Sequence, residues 1–236
     1  MKKVLALVLS LIVLLGLSVP VASAETAYVD VESLTSAELD ALLENEVDQR
    51  SALAKEKGLN IRAGMTTAPM RMGTNAKTET QVATLLLDRQ MKADGTIQES
   101  YVTIARGILY QGTDSESYTD STQSLTAYIY IYYDYQFDDD LVGSRTRLNR
   151  SAHKVDVHSS SIRATSMLCE HNWYNILNDE ANLVRTTVSS PVSGRTYTCY
   201  PHDDTWLERG EATYMGRTSG YTNDGGVASA YLEFVK

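Results

Sequence analysis

Residues 126–140 read TAYIYIYYDYQFDDD: six aromatic side chains fall within positions 128–137, and three consecutive aspartates follow. In a strand, successive side chains point to opposite faces. Ala127, Ile129, Ile131, Tyr133, Tyr135 and Phe137 therefore share one face, the more apolar, which is the better candidate for a core. Tyr128, Tyr130, Tyr132, Asp134 and Gln136 share the other. The three tyrosines of this second face are the candidate ligand-binding residues, a platform on which sugar rings can stack. The alternative is a cross-strand ladder, in which the rings pack on neighbours such as Tyr101 and Tyr110 and stabilise the sheet by roughly 0.2–1 kcal/mol each. The aspartates at 138–140 lack the alternating oxygen spacing of a calcium loop. They read as an acidic turn that blunts a strand edge.

The period of two set by this stretch extends in both directions. Asp94-Gly95 is a favoured two-residue hairpin turn and joins a strand near 82–92 to one near 96–110. Further strands are expected at 124–137, 143–150, 152–158, 161–169, 183–190, 194–200, 211–218 and 227–235. The clusters GTDSES, HSSS, ILNDE, SPVSG and TNDGG separate them. Many short strands with no helical period between them predict an all-β fold, an antiparallel β-sandwich or partly closed barrel spanning 81–236. Fifteen tyrosines against two phenylalanines suit such half-buried pleated surface, where the ring packs and the hydroxyl stays wet.

Upstream the period changes. Residues 34–58 predict one helix: Thr35 and Glu38 form a capping box, Leu34 and Leu39 flank it, and Gly58 stops it. Its apolar stripe is narrow, so 25–58 reads as a helical appendage, loosely docked. Residues 59–80, with Gly64, Pro69 and Gly73, read as a flexible linker.

The first 24 residues set the expected compartment. Lys2 and Lys3 precede an apolar run from Val4 to Val19, Pro20 breaks it, and Ala22-Ser23-Ala24 offers a cleavage site. This is the pattern of a secretory signal peptide, and it implies a secreted chain, extracellular or, behind an outer membrane, periplasmic. Loss of the two lysines takes the formal charge from −9 to −11. So acidic a chain argues against nucleic acid and anionic membrane as partners, because both call for a surplus of Lys and Arg.

Chemistry has few places to reside. Cys169 and Cys199, an even count in an oxidising compartment, read as one disulfide. Closing a loop of about 31 residues would contribute roughly 3–4 kcal/mol in the chain-entropy picture. The same segments offer Cys169-Glu170-His171 and Cys199-Tyr200-Pro201-His202, a zinc-like ligand count at a poor spacing, so no metal or cofactor is expected. Residues 196–210, TYTCYPHDDTWLERG, locally resemble the active-site strand of sortases. That resemblance implies Cys199 as nucleophile, Arg209 as the oxyanion-stabilising group and an upstream histidine, His153 or His158, as partner. Tyr197 stands where that family has leucine. Glu170, Glu180, Glu208 and Glu211 are the carboxylates from which a glycosidase pair could be drawn. Arg145, Arg147 and Arg150 form the one basic cluster and are expected to pair with the acidic 138–140 turn.

No complete catalytic constellation emerges. The sequence points to a non-enzymatic exported binding or surface-interaction module for a glycan, cell-wall polymer or protein. The alternative is an extracellular enzyme, either a cysteine transpeptidase or hydrolase using Cys199, or a carboxylate-based glycosidase.

Overall fold

The computed structural model describes residues 30–43, 60–62, 79–111, 122–137, 143–175, 180–202, 204–208 and 212–235. The signal segment, the helix beyond Leu43, residues 63–78 of the linker, the aspartates at 138–140 and Arg209 lie outside these.

The tyrosine stretch forms β4 (Thr122–Phe137), and it is the centre of the larger sheet. That sheet runs β1 (Asn60–Arg62), β2 (Glu79–Met91), β3 (Ile97–Gln111), β4, β5 (Arg145–Val157), β8 (Tyr197–Cys199). The two-residue β9 (Leu207–Glu208) also pairs with β5. The smaller sheet has the order β11 (Val227–Val235), β10 (Ala212–Thr222), β6 (Ala164–Asn175), β7 (Glu180–Ser189). All the pairings are antiparallel, and the two sheets pack as an all-β sandwich. The strands expected at 143–150 and 152–158 are one strand, β5. A bulge at Asn149 (Tyr132 faces Arg150, Tyr133 faces Leu148) lets it bend without breaking.

Alternation fixes which β4 side chains enter the sandwich. Ala127, Ile129, Ile131 and Tyr133 point inward and meet Ala105, Val155, Trp173, Tyr214, Ala230 and Leu232. Tyr133 stacks between Tyr101, with ring centroids 5.5 Å apart, and Tyr214, at 6.0 Å. Gly216 of β10 lies directly over Ile129 and Ile131, so close that a Cβ there would collide with both. The absent side chain sets the intersheet spacing at that point.

The Asp94-Gly95 hairpin joins β2 to β3, but the loop has three residues rather than two. Lys92 and Thr96 pair across its base, and Gly95 takes φ +86°. This is the turn-plus-left-handed-residue loop that glycine favours. The β10–β11 connection repeats it, with Thr222 bonded to Gly226 and Gly225 at φ +88°.

The outer face of the larger sheet departs most from expectation. The capping box forms as read: the Thr35 N–H donates to Glu38 Oε2 at 2.9 Å, and the Glu38 N–H to Thr35 Oγ1 at 3.3 Å. It starts helix α1 (Ser36–Leu43). The helix is seated on the sheet. Val31, Leu34, Leu39, Leu42 and Leu43 are buried against Ala83, Leu85, Val102, Ile104, Tyr128, Tyr130, Tyr132 and Ala152. Each such leucine contributes roughly 1.5–3 kcal/mol of burial. Three residues read as linker, Asn60–Arg62, add β1 to the edge of β2.

Candidate functional site

The three tyrosines read as a ligand platform lie under α1. Tyr128 and Tyr130 are 0% exposed and Tyr132 4%. The Arg150 guanidinium lies 3.7 Å from the centroid of the Tyr132 ring and pairs with Glu32, which precedes the helix. Lys154 Nζ sits 4.7 Å from the Tyr128 centroid and 3.3 Å from Asp156. The Tyr130 hydroxyl has no hydrogen-bond partner among the described residues, and burial raises its pKa well above the usual 10. A ligand would reach this face only with residues 31–43 displaced. The aromatic stacking in this region is on the opposite, inner face, through Tyr101, Tyr133 and Tyr214.

The two cysteines, far apart in sequence, come together across the sandwich. Strand β8 sets Cys199 opposite Ser151 at one edge of the larger sheet, and β6 turns Cys169 inward from the smaller one. The expected disulfide is not formed: both are free thiols, which hydrogen-bond to each other. The bond from Cys169 is the main reason the Cys199 pKa falls well below the ordinary thiol value, with further help from hydrogen bonds to His153 and Thr186 against the cost of burial. The same bond and burial push Cys169 upward.

Behind the thiols runs a buried polar chain. Thr218 Oγ1 contacts His153 Nδ1 at 2.7 Å, His153 Nε2 contacts Ser151 Oγ at 2.8 Å, and that hydroxyl contacts His171 Nδ1 at 2.6 Å. One hydroxyl proton cannot serve both imidazoles, so at least one ring donates its N–H to Ser151. Burial is the leading cause that lowers the His171 pKa to about 4, followed by the neighbouring His153 and His202.

The zinc-like set is dispersed. His202 is exposed, Glu170 points away from the thiols, and Ser151 occupies the space between His153 and His171. No group of three or more His, Cys, Asp or Glu side chains among the described residues could hold a metal ion. His153, rather than His158, is the histidine brought to Cys199; His158 bonds Thr126 at 3.0 Å instead.

Of the basic cluster, Arg147 pairs with the buried Asp134 at 2.7 Å and with Asp204 at 3.1 Å. Arg145 is exposed.

The outer face of the smaller sheet carries a depression of about 290 Å³. Register builds it. Arg217 of β10 stands between Glu170 of β6 and Tyr231 of β11, while Asn172 stands between Met215 and Leu183. Arg217 Nη2 donates to Glu170 Oε2 at 3.2 Å, and Arg185 approaches the same oxygen at 3.7 Å. The Tyr231 hydroxyl donates to Glu233 at 2.8 Å, and burial followed by that carboxylate raises its pKa to about 12. Asn172 Oδ1 and Arg217 Nε are buried with no hydrogen-bond partner among the described residues. Leu183 is 49% exposed.

Strand alternation alone puts Glu170 and Asn172 on one face. Only the pairing registers add Arg217, Tyr231 and Leu183 to them, so the sequence did not reveal this site.

Comparison of the chain with protein-family models, with curated proteins and with solved structures finds no match.

Proposed function

We propose that this chain is an exported, non-enzymatic binding module that takes a hydroxyl-rich ligand, of glycan or cell-wall type, on the outer face of its smaller sheet. One observation carries the reading. In that depression the Arg217–Glu170 ion pair and the Asn172 side chain line the surface beside Tyr231 and the exposed Leu183. A sugar hydroxyl both donates and accepts, so it can meet a guanidinium, a carboxylate and an amide alike. Aromatic and aliphatic surface next to a few fixed polar groups is the usual composition of a small-ligand site.

Export rests on the leader-like residues 1–24, and the acidic charge fits a soluble partner rather than a polyanion. A glycan array followed by titration calorimetry, on the chain from residue 25, tests the proposal. Asn172→Ala and Arg217→Ala should each weaken a binding glycan at least tenfold, with circular dichroism unchanged. If both variants bind as the parent does, the ligand lies elsewhere.

A second reading, a cysteine transpeptidase or hydrolase, draws support from the contact between Cys199 and His153. Against it, the Cys199 sulfur is already engaged by Cys169. Turnover of a cell-wall peptide that survives in Cys169→Ser and vanishes in Cys199→Ser would favour it.

A further inference from the structure

We infer that Cys199 and Cys169 form a redox-active dithiol, in which Cys199 meets an external disulfide and Cys169 resolves the mixed disulfide into a bond that joins the two sheets. The inference is independent of the ligand site. It starts from where the sulfurs stand. Cys169 is 1% exposed in β6, whereas Cys199 is half-buried in β8, three residues long and paired only with β5. Cys199 keeps part of its surface exposed, and Cys169 does not. Each lies one strand from, or at, the same open side of the sandwich, where β8 edges the larger sheet and β7 the smaller. Thr186 of β7 also reaches Cys199, so that edge is already in contact across the sheets.

The chemistry needs a thiolate, a resolving thiol and a base. The Cys169 S–H donated to Cys199 stabilises the thiolate on the half-buried sulfur. His153 also bonds Cys199, and its far nitrogen is fixed by Thr218 at 2.7 Å. The titratable group facing Cys199 besides Cys169 is His153 from β5, and His171 of β6 and His202 beyond β8 lie near one another behind it.

The first step forms a bond from Cys199 Sγ to one sulfur of an external disulfide, breaks that S–S bond and expels one thiolate. In the second step Cys169 loses its proton to His153. The Cys169 thiolate then attacks Cys199 Sγ and expels the second external thiolate, which takes up a proton. Two electrons pass from the cysteine pair to the external disulfide. The pair ends oxidised, and the external disulfide ends as one thiolate and one thiol.

The probe is an aromatic disulfide that releases a coloured thiolate, added to the reduced, folded chain from residue 25. The parent should release two equivalents and retain none of the label, and peptide mapping should recover 169 and 199 cross-linked. Cys169→Ser should release one equivalent and keep one label on Cys199. Cys199→Ser should react at least tenfold more slowly than either. His153→Gln should slow the second release, in which the imidazole takes the Cys169 proton, and leave the first little changed, whereas a merely loosened fold would speed both. The inference is overturned if the folded parent keeps a stable label on Cys199. It is equally overturned if both thiols react only in denaturant, which marks them as inert core groups.

Discussion

His171 is buried with its imidazole neutral, and acid should expose the cost of that arrangement. In the unfolded chain the ring takes a proton near its ordinary value of 6.5, but in the folded chain only near 4. Between those values the unfolded state binds more protons, so stability present above about pH 6.5 is lost as pH falls toward about 4. Each pH unit in that window is worth about 1.4 kcal/mol, which gives about 2 kcal/mol by pH 5 and about 3 kcal/mol by pH 4. Carboxylates also titrate as the window closes, so the difference from a non-titrating variant is the quantity to read. His171→Asn retains an amide near the position of Nδ1, which contacts Ser151 at 2.6 Å. Urea denaturation followed by tryptophan fluorescence, at pH 7.5, 6.5, 5.5 and 4.5, gives both curves. The variant should start less stable than the parent and then lose less as pH falls, so that the two converge. Parallel curves from pH 7.5 to 4.5 would refute the reasoning, because His171 would then titrate alike folded and unfolded.

Other perturbations probe the packing. Leu42→Ala should cost roughly 2–5 kcal/mol in the same denaturation assay, since the side chain is fully buried under the helix; a loss under about 0.5 kcal/mol would mean that α1 is not docked in solution. Gly216→Ala drives a methyl group into Ile129 and Ile131 and should destabilise by about 1–3 kcal/mol, read as a lowered thermal midpoint. Tyr130→Phe removes a buried hydroxyl that has no partner among the described residues. It should leave stability unchanged or raise it by up to about 1 kcal/mol, and a clear loss would reveal a bond to that oxygen.

Much of the architecture follows from local rules, and those rules were legible. Alternation in 126–140 places Ile129, Ile131 and Tyr133 in the core, because a strand can send side chains only to two faces. Thr35 and Glu38 start a helix because each satisfies a backbone N–H of the other's turn. Asp94-Gly95 marks a hairpin because glycine accepts the positive φ that the loop requires. The same rules stop at the level of single elements. Alternation labels the Tyr128–Tyr130–Tyr132 face as the wetter one, yet it cannot say that leucines from residues 34–43 will cover it. The burial of that face is a property of two distant segments.

The depression on the smaller sheet depends in the same way on register. Glu170, Asn172, Arg217 and Tyr231 become neighbours only once β6, β10 and β11 pair as they do, and a slip of one residue would send each to the other face. Cys169 and Cys199 were conspicuous in the sequence as a pair. That His153, His171, Ser151 and Thr218 stand around them was not, since those residues come from β5, β6 and β10 of two different sheets. The sequence by itself determined which residues could form strands, turns and one capped helix, because those choices depend on a residue and its near neighbours. Tertiary structure alone decided which faces were covered and which polar groups met, because sheet stacking joins positions that no local spacing relates.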